Sequence, residues 1–429
     1  MIYLIISLIT IMVIDFYFFK SFISPRILFL ASFTGAMILM YLNRIQWDVN
    51  LIPKFYVYVI SAIFSFIIGT FLIDTLSKFL KIEKNIIKLD KLNVMARPSS
   101  LLILISIICS ITYMYLIVKE VGYNSNISQF LRAVYNKTVE NNGTHGFLTN
   151  QMLEIVAASA RISFFQIILD KYIVKLRYSH LMNYFNIILF LIVSVISTDR
   201  NIFIRFSLFC IVIWVLFYIE SNKVGMRNIN FKIIRKLILY FVIFLSVFYL
   251  LGKSKNYTSN FTRALGIYGG SGLYDFNLFL KQFRANELTY GRTTFKALLK
   301  TLSTLSGSEI GYNQKVFEKM IAFKSSVGYV YVSNIYSSLR PFVLDFGYLG
   351  MWLFPFFQGM FFEYIFTLTK RKLFGFSWIF YALMIYPTIY YAIDDQFFTR
   401  LHLGLVYEIF WVVIFYILVS IPVRFTFKH

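Results

Sequence analysis

Three arginines lie inside or at the edge of strongly apolar stretches, where a charged side chain needs a specific partner. Arg200 lies in the turn STDRN between two apolar runs, and Arg205 follows five residues later, about 7.5 Å further along a helix axis. Arg161 lies in the middle of the apolar stretch AASARISFF. A guanidinium group binds phosphate oxygens through two parallel hydrogen bonds. All three are therefore predicted substrate-binding residues for an anionic group.

These arginines also have structural interpretations. Arg200 could extend towards the membrane interface or pair with its neighbour Asp199. An ionisable residue within an apolar span points to function by default, but Arg161 and Arg205 could equally form ion pairs between helices. Both interpretations stay open at the level of the sequence.

Three further predicted substrate-binding arginines lie in a long polar segment late in the chain. Arg292, in TYGRTTF, follows a glycine and is predicted to open a helix whose free backbone N–H groups attract anions. Arg340, in SSLRPFVLDF, precedes a proline suited to a first helical position, which predicts a place at the lip of the next apolar span. Arg284 completes the set. We expect most lysines of this segment to form a solvated or headgroup-facing surface.

Candidate proton acceptors lie near the ends of the last apolar stretches. Asp394 and Asp395 share a polar stretch with Arg400 and His402, and a carboxylate or imidazole there could deprotonate an acceptor hydroxyl. Asp345 lies a few residues into an apolar span, where it could pair with an arginine or act as a base. The predicted catalytic residues are therefore Asp345, Asp394 and His402. For the stretch 394–402, the alternative is a charged cap on the last helix.

Several kinds of site are absent from the sequence. There is no GxxxxGK[ST] pattern, and the glycines between 266 and 272 do not follow a strand and open a helix, so no nucleotide site is predicted. No HExxH or CxxC pattern occurs and the four histidines are far apart, so no metal is expected. Cys109 and Cys210 both fall in apolar stretches and imply no disulfide framework. We therefore expect a reaction without metal or other cofactor.

The composition predicts an all-α, polytopic helical membrane protein. Only 14% of the residues are charged and 59% are hydrophobic, whereas about 25% of a soluble domain is charged. Continuous apolar runs match the roughly 20 residues that a helix needs to cross a bilayer. We predict about eleven spans in a single membrane domain, 1–429, at about 2–19, 25–42, 53–73, 100–118, 151–169, 183–198, 202–219, 237–252, 343–368, 373–392 and 403–421.

The distribution of Lys and Arg predicts the orientation. With the N-terminus outside and the C-terminus inside, the cytoplasmic segments hold 21 basic residues and the short outer loops hold seven. Basic residues concentrate in cytoplasmic loops, and long loops are exempt from that rule. The net charge of +22 is thus explained by membrane topology. Nucleic acid is not an expected partner, and the lipid bilayer is.

The remaining basic residues concentrate in one large external loop, about 253–342, between the spans at 237–252 and 343–368. From Lys253 to Arg340 the chain has twelve Lys or Arg and four acids, so the loop suits a polar or anionic substrate. Phe295, Leu298, Leu299 and Leu302 recur at helical spacing, and so do Val316, Met320 and Phe323. These two groups predict two amphipathic, interfacial helices lying over the bundle.

Three stretches resemble the Wzy-type polymerases of oligosaccharide repeat units, which build bacterial O-antigens and capsules. They are STDRN between two spans, YGRTTF in the large loop, and SNIYSSLRPFVLDFGYLGMWLFPFFQG at the loop exit. The number of spans and the late external loop are also similar to that family. The resemblance implies a GT-C-like membrane glycosyltransferase at the periplasmic face of the bacterial inner membrane, with a periplasmic N-terminus and a cytoplasmic C-terminus.

The resemblance also implies a substrate and a reaction. The growing glycan would move from an undecaprenyl-diphosphate carrier to the non-reducing end of a new lipid-linked repeat unit. The arginines at 161, 200, 205, 284, 292 and 340 would stabilise the diphosphate, and Asp345, Asp394 or His402 would deprotonate the acceptor. A chain-length regulator protein is a candidate partner. The alternatives are an O-antigen ligase, which shares the donor, and a flippase or transporter of lipid-linked oligosaccharides, in which no loop of this length is expected.

Overall fold

A computed structural model describes residues 1–19, 21–79, 85–140, 146–221, 235, 261–284, 288–308, 310–311, 321–325, 328–333 and 336–421. The chain forms two compact units. The first unit comprises residues 1–83, 258–368 and 384–403, and the second comprises 84–257, 369–383 and 404–429. Each unit is therefore assembled from segments that are distant in the sequence.

Helices dominate both units. In chain order they are α1 (Ile2–Phe19), α2 (Pro25–Leu42), α3 (Pro53–Phe79), α4 (Leu89–Ala96), α5 (Ser100–Val121), α6 (Ile127–Glu140), α7 (Phe147–Leu169), α8 (Leu181–Ile196), α9 (Arg200–Ser221), α10 (Phe261–Gln282), α11 (Lys296–Ser306), α12 (Leu339–Arg371), α13 (Phe376–Met384), α14 (Tyr386–Tyr390) and α15 (Leu403–Ser420). The described strands form two short pairs. Strand β1 (Asn85–Ile86) is parallel to β4 (Lys372–Leu373), and β2 (Ile321–Ser325) is antiparallel to β3 (Gly328–Ser333).

The prediction of a helical membrane protein is confirmed. Among the described residues, six helical stretches are long and apolar enough to cross a membrane, namely Pro25–Leu42, Pro53–Phe79, Leu89–Val121, Phe147–Val174, Asn201–Ser221 and Leu403–Ser420. Three other predicted spans, at 2–19, 183–198 and 373–392, correspond to shorter apolar helices. The span predicted at 343–368 lies within α12, and the one at 237–252 lies outside the described residues.

Helix α7 is the buried centre of the second unit, where it packs against α5, α8 and α9. Small polar side chains join these helices inside the apolar core. The Ser159 hydroxyl lies 3.1 Å from Ser106 Oγ and 3.2 Å from Asn186 Oδ1, and the Asn186 amide donates to Ser163 Oγ at 2.8 Å. Serine and asparagine are common at such contacts because they allow close approach and hydrogen-bond between helices.

In the first unit, α10 packs along α2 through glycines of the sequence GIYGGSG. A Cβ atom at Gly270 would lie 2.8 Å from the backbone nitrogen of Met40, and one at Gly272 would lie 2.5 Å from the carbonyl oxygen of Ile393. Only residues without a side chain allow backbones to approach this closely. The sequence analysis did not predict a helix here, because it treated these glycines as part of a loop.

Hydrogen bonds then join α10 to the segment between α2 and α3. The Asn277 side chain donates to the Asn50 carbonyl at 3.0 Å and accepts from the Ile52 N–H at 3.0 Å. The Tyr274 hydroxyl donates to the Trp47 carbonyl at 3.2 Å. Part of the predicted external loop is thus an integral element of the first unit.

Of the two amphipathic helices predicted in the loop, only the first lies wholly within the described residues. The first is confirmed as α11, and most of the second, residues 312–320, lies outside the described residues. The sequence predicts Phe323 in the second helix, but this residue lies in β2 and pairs with Val330 of β3. The sequence GYVYVS in β3 alternates β-branched and aromatic residues, and this pattern favours a hairpin.

Helix α12 is broken at Gly347. This residue has φ 61° and ψ −141°, a backbone conformation that L-residues with side chains rarely adopt. The helix therefore consists of a short first segment ending near Phe346 and a long segment that follows. A Cβ atom at Gly350 would lie 2.3 Å from the Phe342 carbonyl oxygen, so the two segments fold tightly against each other.

The contact between α10 and α2 predicts a position-specific effect of alanine. We expect Gly270→Ala to lower stability by about 1–3 kcal/mol, because its methyl group would overlap the backbone of α2. Gly35→Ala is the matched control, since a Cβ atom there meets nothing within 4 Å and alanine favours the helix. Thermal unfolding in detergent would measure both variants, and equal unfolding temperatures would contradict the close contact.

Candidate functional site

Three segments of the first unit meet where the long loop ends. The Ser337 N–H donates to the Gly272 carbonyl of α10 at 3.1 Å, and the Ser338 N–H donates to the Tyr391 carbonyl at 3.1 Å. The Ser338 hydroxyl donates to the Asp394 carbonyl at 2.9 Å. These bonds fix the start of α12 against α10 and against the segment that follows α14. Four ionisable side chains of these segments, Asp275, Arg340, Asp394 and Asp395, are hereafter called the loop-exit cluster.

Arg340 is half-buried and held by aromatic rings. Its guanidinium carbon lies 3.9 Å from the centre of the Tyr336 ring and 5.3 Å from the centre of the Phe279 ring. Such cation–π contacts orient a guanidinium group without neutralising its charge. Phe279 lies one helical turn after Asp275, so α10 presents a ring and a carboxyl group on the same side. The prediction that Arg340 lies at the start of a helix is confirmed.

Asp275 is the residue of this cluster that the sequence analysis missed. Its side chain is fully buried, and neither carboxyl oxygen has a hydrogen-bond partner among the described residues. Burial raises the pKa of the Asp275 carboxyl group to about 9, although the nearby positive charge of Arg340 lowers it in part. The carboxyl group is therefore protonated at neutral pH.

Asp395 is buried beside the half-exposed Asp394. One oxygen of Asp395 accepts from the Phe397 and Phe398 N–H groups, each at 3.1 Å, and the other has no hydrogen-bond partner among the described residues. Burial raises the pKa of the Asp395 carboxyl group to about 7, with those backbone donors opposing the shift and Asp394 adding to it. A carboxyl group that titrates near neutral pH suits proton transfer.

The other predicted acid–base residues of this segment differ in exposure. Asp394 accepts from the Gln396 amide at 2.7 Å. Arg400 is buried in a single 3₁₀ turn, Phe398–Arg400, whereas His402 is exposed just before α15. Asp395 is the carboxyl group of this segment with a near-neutral pKa, and the catalytic roles expected for Asp394 and His402 stay predictions.

Asp345 is fully buried, and three donors surround its carboxylate. The Thr289 hydroxyl donates to one oxygen, as does the Thr293 N–H at 3.2 Å, while the Thr294 N–H donates to the other at 2.5 Å. These donors satisfy the Asp345 carboxylate and join α12 to the turn 289–294. The geometry assigns Asp345 a positioning role, in which it holds the turn that carries Arg292. Its predicted role as catalytic base stays a prediction.

The two remaining loop arginines are exposed. Arg284 lies two residues beyond the end of α10. Arg292 lies in the turn held by Asp345, four residues before Lys296, where α11 begins. The prediction that Arg292 opens a helix is therefore wrong, because the bonds from Thr293 and Thr294 to Asp345 favour a turn at this point.

In the second unit, two predicted arginines converge on one acid. Arg161 Nη2 lies 2.6 Å from Glu408 Oε1, and Arg205 Nη1 lies 3.2 Å from Glu408 Oε2. The side chains of Arg161 and Glu408 are each only 1% exposed. The alternative of an inter-helix ion pair is thus confirmed for both arginines. The sequence does not predict Glu408 as their partner, because Glu408 lies more than 200 residues from both arginines.

Arg200 is the first residue of α9. The carboxylate of the preceding Asp199 accepts from the Asn201 N–H at 2.9 Å, as expected at the start of a helix. This confirms the predicted turn STDRN between two apolar helices. The side chain of Arg200 lies outside the described part of the structure, so its substrate-binding role stays a prediction.

Comparison of the chain with protein-family models, with characterised proteins and with solved structures finds no match. Within the part of the chain that the structure describes, no group of three or more His, Cys, Asp or Glu side chains could hold a metal ion. The loop-exit cluster offers guanidinium and carboxyl groups for chemistry.

The raised pKa of Asp275 predicts a pH-dependent stability. The folded protein keeps this proton up to about pH 9, whereas the unfolded chain releases it near pH 4, so stability falls as the pH rises between these values. Asp275→Asn, which mimics the neutral carboxyl group, should therefore raise the unfolding temperature more at pH 8 than at pH 5. Thermal unfolding in detergent over this range would test it, and a pH-independent difference would contradict the shift.

The paired arginines predict a large cost for the loss of Glu408. Glu408→Gln would leave two cations without their acid and should destabilise the protein by about 3–5 kcal/mol. The control is Asp74→Asn, because its partner Lys78 has a side chain that is 68% exposed and stays solvated; a change below about 1 kcal/mol is expected. Denaturant titration in detergent would compare the two, and similar losses would refute the energetic importance of Glu408.

Proposed function

We propose that this protein is a membrane glycosyltransferase that polymerises oligosaccharide repeat units carried on undecaprenyl diphosphate. The observation that carries the proposal is the half-buried Arg340, oriented by Tyr336 and Phe279 beside a protonated Asp275 and close to a segment with two further carboxyl groups. A guanidinium group held next to groups that can exchange protons suits transfer from a diphosphate leaving group to a hydroxyl group.

The proposed reaction needs one bond to break and one to form. The bond between the anomeric carbon of the growing glycan and its diphosphate oxygen breaks, and that oxygen keeps the electron pair. The hydroxyl oxygen of the incoming repeat unit bonds to the anomeric carbon and releases its proton to a base. Arg340 stabilises the negative charge that grows on the diphosphate. Because the leaving group is already activated, the reaction requires neither a nucleotide nor an external energy source.

Asp394 and Asp395 are the proposed acceptors for that proton. Asp395 has a pKa of about 7, so a substantial fraction of it is ionised at neutral pH. Asp394 is half-exposed and is therefore more accessible to an acceptor sugar. Protonated Asp275 has a different role in this scheme: an ionised Asp275 would compete with phosphate for Arg340, and the neutral form does not.

The proposed architecture follows from the charge distribution. We propose about eleven spans in a GT-C-like arrangement in the bacterial inner membrane, with the N-terminus and the long loop in the periplasm and the C-terminus in the cytoplasm. The support is the excess of basic residues in the segments assigned to the cytoplasm. The proposed partners are undecaprenyl-diphosphate-linked glycans, the lipid bilayer and a chain-length regulator protein.

Replacing Arg340 tests the proposal. Arg340→Ala should reduce polymerisation by about 100-fold or more, because the growing diphosphate charge loses its stabilising partner. Arg44→Ala is the matched control, since its guanidinium group also stacks on a tyrosine ring, 3.9 Å from the centre of Tyr41, outside the cluster. Cells producing each variant would be compared for expression and for glycan chain length. Wild-type chain lengths with Arg340→Ala would rule out the proposed role of this residue.

The glycans of cells that lack this protein would distinguish the candidate functions. Glycans that carry a single repeat unit would indicate a missing polymerase. Full-length glycan that remains on its lipid carrier would indicate a missing ligase. Lipid-linked units confined to the cytoplasmic leaflet would indicate a missing transporter and would overturn the proposed enzyme activity.

A further inference from the structure

Helix α11 carries a row of leucines that the described residues leave largely uncovered. Leu298, Leu302 and Leu305 are 38%, 44% and 67% exposed. Their spacing of four and three residues places them on one face of the helix. No residue of α11 is buried. An exposed apolar row beside polar residues marks a contact surface.

The other side of α11 is basic. Lys296 and Lys300 are one turn apart, so they lie together, and at about 3.6 residues per turn they are roughly opposite the leucines. Arg292 adds a third positive charge just before the helix. The sequence from 288 to 308 contains no acid. The helix thus combines an apolar row with a polar side on which every charged residue is basic.

The first turn of α11 has a fixed position. The Phe295 ring packs edge-on against Phe398, with 5.4 Å between ring centres, and against Phe354 at 5.8 Å. Asp345 holds the preceding turn through Thr293 and Thr294. The helix is thereby attached to α12 at its Gly347 break, and the direction of the leucine row is set by the fold.

We propose that α11 lies in the interface of a bilayer that contains anionic phospholipids. Its leucine row inserts into the acyl chains, and Lys296 and Lys300 contact the phosphate groups of the lipids. An apolar row opposite a basic, acid-free face is the pattern of helices that lie in the membrane interface. Among the described residues, six helical stretches are long and apolar enough to cross a membrane, so a bilayer is the apolar phase that the leucine row would enter. The proposal concerns lipid contact and does not depend on the proposed reaction.

Spin labels on the full-length protein would test this contact. Leu302→Cys and Leu305→Cys would be labelled in a background with Cys109→Ser and Cys210→Ser, with Thr304→Cys as the control on another side of the helix. The protein would be reconstituted in phosphatidylcholine vesicles with or without phosphatidylglycerol. Collision with oxygen reports lipid exposure, and collision with a water-soluble nickel chelate reports water exposure.

The labels at 302 and 305 should collide more with oxygen and less with nickel than the label at 304, and phosphatidylglycerol should enlarge the difference. The double variant Lys296→Gln/Lys300→Gln should remove the effect of phosphatidylglycerol. Equal nickel access at all three positions would overturn the proposal, as would a pattern that phosphatidylglycerol leaves unchanged. Labels at 302 and 305 shielded from both reagents would indicate a protein partner and would also overturn it.

Discussion

A polar or charged side chain inside an apolar helical protein must find a partner or lose its charge, because no water is available to solvate it. The described residues meet this constraint in three ways. Asp345 accepts from three donors of one turn, and Glu408 is shared by two arginines. Asp275 has no hydrogen-bond partner among the described residues, and a pKa of about 9 keeps it neutral.

The partners of the candidate arginines indicate which of them suits an anionic ligand. Arg161 and Arg205 share the charge of Glu408, so an anionic ligand would compete with an acid already in place. Beside Arg340, the carboxyl group of Asp275 is neutral at physiological pH and does not compete with an anionic ligand, while Tyr336 and Phe279 orient the guanidinium group. We therefore propose Arg340, in preference to Arg161 and Arg205, as the ligand for phosphate.

The sequence predicted what depends on local pattern. Apolar runs predicted most of the long helices and leucine spacing predicted α11, and the ion pairs of Arg161 and Arg205 are the structural alternative that the sequence left open. It could not predict the partners, because Glu408 and Asp275 are distant in the chain from the residues they face. Helix α10 was missed because glycine and serine disfavour helices locally, and only the packing of α10 on α2 makes these glycines necessary.

The same packing explains how a long, basic loop can hold a precise site. The loop is fixed at three places: α10 at residues 50–52, the turn 289–294 at Asp345, and the loop exit at Gly272 and Tyr391. The two bonds at the loop exit join backbone groups and persist when a side chain is substituted, whereas the other bonds depend on the side chains of Asn277 and Asp345. Arg340 and the two carboxyl groups at 394 and 395 are thus positioned by the backbone, while the identities of the side chains remain free to determine the chemistry.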